Sequence, residues 1–359
     1  MASEALPATA DSWIAVLGAG TWGATLAWLY GSSGRQVSLW SHDPAKADLL
    51  SRQRRLDKPV AVSFPDTVSI FSDLDLAIEK ADVIVFCCTS QSMRAVAERV
   101  WASLTAESKH RSEGPVLVSA AKGLELSSLK RMSEVISESV PGLPVCALSG
   151  PNLAGEILQS QPAASVVACS DFPCARWAQR RLSAKNFRVY SHDDLLGVEL
   201  GGTLKNIIAI AAGCSDGLGL GANARAALMT RGLAEMTRLA VVLGAKPLTL
   251  SGLSGMGDLF ATCTSPLSRN YRLGTEMARG KDRDQALATI GATAEGVTTT
   301  YAVCELSKRL GIELPIAEQV EDTLKGKTTP EGAIMTLMAR PLASEKVTEL
   351  SEQGVERTD

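Results

Sequence analysis

The 359-residue sequence has no run of about 18 uninterrupted apolar residues, so no membrane-spanning helix is expected. Its start, MASEALPATADS, lacks the charged segment and apolar stretch of a secretory signal. It is also too short and too acidic for a transit peptide, and residues 1–12 read as a short mobile arm. There is no basic excess: 36 Lys+Arg stand against 39 Asp+Glu, a net charge of −3. A nucleic-acid surface leaves the opposite footprint, so no nucleic-acid partner is expected. The eight Cys contain no CxxC pair and show no metal-like spacing with His42, His110 and His192. No metal is therefore expected. Scattered thiols in a chain of this length fit a reducing compartment, the cytoplasm, better than a disulfide framework. No internal repeat or long low-complexity segment stands out. What is present is an ordinary globular balance, 45% hydrophobic and 21% charged, in a length that suits two domains.

The first half alternates between strand and helix patterns. WIAVL at 13–17 is an apolar run closed by glycines and reads as a buried parallel strand. Residues 21–33 look helical, with Gly34 as their stop. Strands are expected at 36–40, 82–88 and 115–120, with a helix over 91–104 and further strand-like runs at 145–148, 165–168 and 187–190. This order predicts an α/β fold with a doubly wound parallel sheet covered on both faces. Beyond about residue 191 the period changes. Asp193 is a plausible N-cap, and Leu196, Leu200, Leu204, Ile207 and Ala211 form a helical stripe. Helices are also expected over 224–243, 284–290, 297–310 and 316–325, so the C-terminal domain reads as all-α. The expected domains are 13–191 and 192–343, with a polar tail over 344–359.

The first strand runs into Gly18-Ala19-Gly20-Thr21-Trp22-Gly23, a G-x-G-x-x-G turn in a strand–turn–helix setting. Gly18 allows the tight turn, Gly20 lets a pyrophosphate reach the backbone, and Gly23 lets helix and strand pack closely. A dinucleotide is the expected ligand; a ligand-free turn or a nucleotide-like cofactor such as S-adenosylmethionine is the alternative. Asp43 lies at the spacing of a ribose-binding acid, although slightly late after the strand, and no Arg directly follows to receive a 2′-phosphate. The charge balance leans towards NAD and leaves NADP open.

Lys205 stands one turn after Gly201 and Gly202 in an apolar helix. There it could give a proton or a strong hydrogen bond to a substrate oxygen; a solvated Lys beside a helix-packing patch is the other reading. Lys122 and the turn Ser149-Gly150-Pro151-Asn152 each follow a strand, at the edge where open α/β sheets bind ligands. Gly255-Met256-Gly257-Asp258 and Ser268-Arg269-Asn270 lie in a stretch poor in helix pattern, and Arg269 could hold a phosphate with its planar fork.

Taken together, GAGTWG, VSAAKGLE, LSGPNLAGE, GVELGGTLKNIIAIAAG, LSGMGDLFATC, SRNYRLG and AEGVTTT, in this order over about residues 13–340, resemble the NAD(P)-dependent glycerol-3-phosphate dehydrogenase family. The resemblance implies a Rossmann domain followed by a helical substrate-binding domain. It implies reversible reduction of dihydroxyacetone phosphate to sn-glycerol 3-phosphate for glycerophospholipid synthesis, with NAD or NADP. By motif, Gly18, Gly20, Thr21, Trp22, Gly23, His42, Ala154, Thr293 and Glu295 would touch the cofactor. Lys122 would lie between cofactor and substrate. Gly150, Asn152, Asp258, Ser268, Arg269 and Asn270 would line the substrate site, Arg269 also near the cofactor, and Lys205 would exchange the proton. Thr21-Trp22 and Asn152 depart from the family's commoner residues, and Ser41-His42-Asp43 stands where many members carry an Arg. Another hydroxyacid or hydroxyacyl dehydrogenase, or an inactive cofactor-binding regulator, remains the competing reading. A homodimer is expected, two-fold pairs being the commonest assembly.

Overall fold

The computed structural model describes residues 12–109, 114–291 and 293–342; the expected N-terminal arm up to residue 11, His110 and the expected polar tail lie outside the described residues. The chain divides into two compact units, the first ending at Glu199 and the second beginning at Leu200.

The strands of the first unit are β1 Trp13–Leu17, β2 Gln36–Trp40, β3 Arg55–Leu56, β4 Val62–Ser63, β5 Val68–Phe71, β6 Val83–Phe86, β7 Val116–Ser119, β8 Val145–Ser149, β9 Ala163–Ala168 and β10 Phe187–His192. Eight of them form one sheet in the order β10-β9-β8-β7-β6-β1-β2-β5, while β3 and β4 pair separately. Every pairing in the large sheet is parallel except β8 with β9, which corrects the expectation of a wholly parallel sheet. The helix Ala154–Leu158 lies in the connection that returns the chain antiparallel.

Two-residue alternation explains why the strands read as continuous apolar runs. Ile14 and Val16 face one core cluster with Val37, Leu39 and Val85; Ala15 and Leu17 face the other with Trp40, Ile84 and Phe86. Both faces are covered, so these positions are mostly apolar, and a polar exception such as Ser38 on β2 is hydrogen-bonded, accepting from Trp13 Nε1 at 2.9 Å. The strand order reverses at β1, which pairs with β2 on one side and β6 on the other. Chain direction leaves an opening at the carboxyl ends of strands at such a reversal.

The second unit is helical, with no strand among its described residues. Leu195–Gly217 is followed by Ala222–Val242, Asp258–Thr264, Arg269–Ala278, Arg283–Ile290, Glu295–Leu310, Pro315–Leu324 and Pro330–Met338. Two expectations are corrected. The cap of the first of these helices is Asp194, not Asp193: Asp194 Oδ1 accepts from Gly197 N at 2.8 Å. The stretch read as poor in helix carries a π turn over Leu253–Gly257 and the helices Asp258–Thr264 and Arg269–Ala278. Helix Leu195–Gly217 is long and apolar enough in composition to cross a bilayer, yet 83% of its most apolar window is buried inside the protein, as befits a core helix.

Candidate active site

The glycine turn after β1 is shaped by close backbone contacts. Gly18 has φ 120°, and a Cβ there would lie 2.8 Å from the carbonyl oxygen of Cys87. At Gly23 a Cβ would come within 1.9 Å of the Gly18 carbonyl oxygen. Side chains are thus excluded at both positions by the protein itself. Gly20 differs: it is exposed, and a Cβ would meet nothing within 4 Å. Gly20 is also the N-cap of helix Thr21–Ser32 and caps it with no side chain, so the first-turn amides of that helix face an open space. The positive end of a helix above such a space suits a pyrophosphate. Thr21 is exposed beside it, and Trp22 packs half-buried against the core.

After β2, His42 is exposed with its ring centroid 6.5 Å from that of Trp40. Asp43 caps helix Pro44–Gln53, its Oδ1 accepting from Ala45 N at 2.9 Å and Lys46 N at 3.3 Å. The spacing that suggested a ribose ligand is accounted for by this cap, so the lean towards NAD loses its main residue.

Lys122 and the Gly150 turn meet at the sheet edge formed by the carboxyl ends of β7 and β8. Half-buried Lys122 donates from Nζ to the Gly150 carbonyl at 3.3 Å. The loop after Lys122 is pinned by Gln91, whose Nε2 donates to Leu124 O at 2.8 Å and whose Oε1 accepts from Leu126 N at 3.1 Å. Arg94 grips Glu125 through Nε at 2.9 Å and Nη2 at 2.8 Å, which holds that carboxyl below the usual carboxylate range. Gly150 has φ 151°, and a Cβ there would lie 2.9 Å from Ser165 Cα on β9. Asn152 donates from Nδ2 to Ser165 Oγ at 3.0 Å, and Ser165 in turn donates to Ser149 O at 2.8 Å. Asn152 Oδ1 is buried with no hydrogen-bond partner among the described residues. Ala154 opens helix Ala154–Leu158.

In the second unit the solvated reading of Lys205 is overturned. Lys205 is 6% exposed, and its Nζ donates to Asp258 Oδ1 and Thr262 Oγ1. Thr262 sits one turn after Asp258 on helix Asp258–Thr264 and donates to Asp258 Oδ1 at 3.3 Å. Gly201 explains how the cluster closes: a Cβ there would lie 2.7 Å from Ser254 O, so only glycine lets the turn before Asp258 approach the helix carrying Lys205. A buried ammonium held by a carboxylate and a hydroxyl stays oriented. Thr262 was not singled out from sequence; its spacing of four from Asp258 becomes a signal only once that stretch is known to be helical.

Ser268 is the N-cap of helix Arg269–Ala278, accepting from Tyr271 N at 3.2 Å. Asn270 is buried and accepts at Oδ1 from Gly296 N at 3.0 Å, tying this helix to the first turn of Glu295–Leu310. Glu295 lies in that first turn and exposed Thr293 just before it. Arg269 is exposed and makes no hydrogen bond or ion pair within the chain among the described residues. A cavity of about 950 Å³ opens elsewhere in this unit, among Ile210, Leu228, Arg231, Ile334 and Met338. None of the sequence-predicted site residues lines it, so cavity size does not mark the chemistry here.

Hydride transfer to a carbonyl asks two things of a protein: a cradle for the pyrophosphate of the hydride carrier and a fixed positive group for the oxygen that gains charge. The open glycine turn meets the first and the buried lysine the second, which places the chain among the NAD(P)-dependent dehydrogenases. Two family patterns match it, described as the N-terminus of NAD-dependent glycerol-3-phosphate dehydrogenase over residues 13–175 and the C-terminus over residues 194–335. A glycerol-3-phosphate dehydrogenase of Chlorobium limicola, named for NAD(P)+, is 45% identical over 331 residues, spanning 91% of this chain and 97% of its own. One from Sphingopyxis alaskensis is 44% identical over 333 residues, 92% of this chain and 98% of its own. The crystal structure of glycerol-3-phosphate dehydrogenase from Coxiella burnetii superposes with a TM-score of 0.85 at 37% identity, covering 92% of this chain and 99% of that one. The chain belongs to the NAD-dependent glycerol-3-phosphate dehydrogenase family.

Proposed function

We propose that Lys205 is the proton donor and acceptor in the NAD(P)H-dependent reduction of dihydroxyacetone phosphate to sn-glycerol 3-phosphate, run reversibly and supplying glycerophospholipid synthesis. The observation that carries this reading is the buried Lys205 ammonium held by Asp258 and Thr262. When bound, the nicotinamide supplies the hydride that the protein itself lacks. Gly20, Thr21, Trp22 and Gly23 would bind its pyrophosphate end through backbone amides, while Gly18, whose own N–H donates to Trp40 O at 3.0 Å, shapes the turn; His42, Ala154, Arg269, Thr293 and Glu295 are the further cofactor contacts. Lys122, Gly150 and Asn152 hold the substrate's hydroxyl and carbonyl end, Asn152 Oδ1 accepting a hydroxyl proton. As charge grows on the ketone oxygen, the Lys205 ammonium stabilises it and gives up a proton; in the reverse direction the amine takes the alcohol proton. Asp258 acts through Lys205 by fixing its position, and Thr262 holds both.

The substrate's phosphate falls to Arg269, whose fork is uncommitted within the chain, with Ser268 and Asn270 beside it. Residues 13–191 carry most of the dinucleotide contacts and 192–343 most of the substrate contacts. Eight free cysteines support a reducing, cytoplasmic setting. The assembly is a homodimer, on the general preference for two-fold pairs. Initial rates of NADH and NADPH oxidation, with dihydroxyacetone phosphate compared against a 3-hydroxy acid's keto form, test the assignment. Rapid turnover with the phosphate ester and none with the keto acid is expected; the reverse would overturn it.

A further inference from the structure

Spacing along the sequence gives the cysteines no metal signature, yet the fold brings three of them together. Cys146 lies on β8, Cys169 directly after β9, and Cys174 in the first turn of helix Phe172–Leu182. The three sulfurs lie within 4.8 Å of one another, and the Cys146 and Cys174 sulfurs are 3.8 Å apart. None of the three is in a disulfide. The separation is far longer than the roughly 2.0 Å of a disulfide. It is close to the roughly 4 Å expected between sulfurs sharing one cation in a plane at bonds of about 2.3 Å.

We propose that Cys146, Cys169 and Cys174 form a three-thiolate site for a single soft or borderline d10 cation of the Zn²⁺ and Cd²⁺ class, distinct from the residues assigned to dehydrogenase chemistry. The donor set selects this class, because three sulfurs suit thiophilic ions and not Mg²⁺ or Ca²⁺. The entry path is at Cys174, which is half-buried while Cys146 and Cys169 are buried. Cys174 is the third residue of its helix, where the peptide dipoles favour the negative charge of the complex. Binding balances without electron transfer: one divalent cation and three thiols give a complex with three metal–sulfur bonds and a net charge of −1, releasing three protons to solvent. A water from solvent can complete a tetrahedral shell. The cation would tie β8, the end of β9 and the following helix together, so its effect is on stability.

The test uses the full-length, reduced, metal-free protein and Cd²⁺ alone as probe. One equivalent should bind with a thiolate-to-metal charge-transfer band and raise the melting temperature. Cys174→Ser should weaken that uptake at least tenfold while leaving dehydrogenase turnover unchanged, and Cys88→Ser should leave uptake intact. Equal tight uptake by wild type and Cys174→Ser, or no charge-transfer band in wild type, would overturn the site. X-ray absorption on wild type with one equivalent of Cd²⁺ decides independently of any variant's folding. Three sulfur neighbours support the assignment and two or fewer contradict it.

Discussion

Lys205 and Arg269, both proposed for the site, are held in opposite ways. Lys205 is buried and committed to Asp258 and Thr262, so its geometry is fixed before substrate arrives. Arg269 is exposed and commits its fork to no group of the described chain, which suits the ligand-binding role proposed for it. Arg269→Lys keeps the charge and loses the paired hydrogen bonds. It should raise KM for dihydroxyacetone phosphate about tenfold or more, in line with roughly 1.5–3 kcal/mol for a charged hydrogen bond, with a smaller change in kcat. Steady-state kinetics showing an unchanged KM would remove Arg269 from the phosphate site. The glycines separate in the same manner. Gly20→Ala places a methyl in the open space over the helix and should fold normally while weakening NADH binding. Gly23→Ala drives a methyl to 1.9 Å from a carbonyl oxygen and should destabilise the fold itself. Melting curves and NADH titrations of the two variants distinguish these outcomes. The glycine roles were legible in the sequence because a G-x-G-x-x-G turn after a strand has one geometry. The Asn152–Ser165 bond was not, because it depends on the antiparallel pairing of β8 with β9.

Among the elements, β1, β2, β6 and β7 stood out because burial on both faces leaves a largely apolar run, with Ser38 and Ser119 as the buried polar exceptions. The edge strand β5, with exposed Ser69, and the helix Met132–Ser139 carry weaker patterns and were not singled out. The glycines Gly252, Gly255 and Gly257 masked the helical region around Asp258. At Gly255 a Cβ would lie 2.0 Å from Leu250 O, so this residue is needed for a tight turn and not for an open loop. One element carries a pH-dependent contact. Glu235 on helix Ala222–Val242 is buried and accepts from Ile316 N at 2.8 Å and Ala317 N at 3.4 Å, at the start of helix Pro315–Leu324. Burial pushes its carboxyl up to about 7 despite those amides. The folded protein therefore retains a proton that the unfolded chain has released. The stability this contributes is complete below about pH 4.5 and is lost as pH rises through about 7. The loss is on the order of 3 kcal/mol, because each pH step between the unfolded and folded values is worth about 1.4 kcal/mol. Glu235→Gln, neutral throughout, should flatten this slope; denaturation curves for the two proteins over that range, if parallel, would contradict it.

For the whole molecule, the division of labour follows from chemistry each unit can supply alone. The α/β unit offers an open glycine turn at the reversal of its strand order and a lysine at the same sheet edge. The helical unit offers an ammonium locked between Asp258 and Thr262. The order of these parts along the chain was readable from the motifs, most of which sit at an element end, the Lys205 motif inside helix Leu195–Gly217 being the exception. Contacts made by distant residues, such as the gathering of Cys146, Cys169 and Cys174, were not, because only tertiary folding sets them. The central claim is that Lys205 moves the proton. The measurement that tests it most directly is kcat of Lys205→Ala at saturating dihydroxyacetone phosphate and NAD(P)H, alongside NADH affinity and the melting temperature. The account predicts a fall in kcat of about 10²-fold or more, roughly 2.7 kcal/mol, in a folded variant that binds NADH as wild type does. Near-normal turnover in that folded, NADH-binding variant would contradict it.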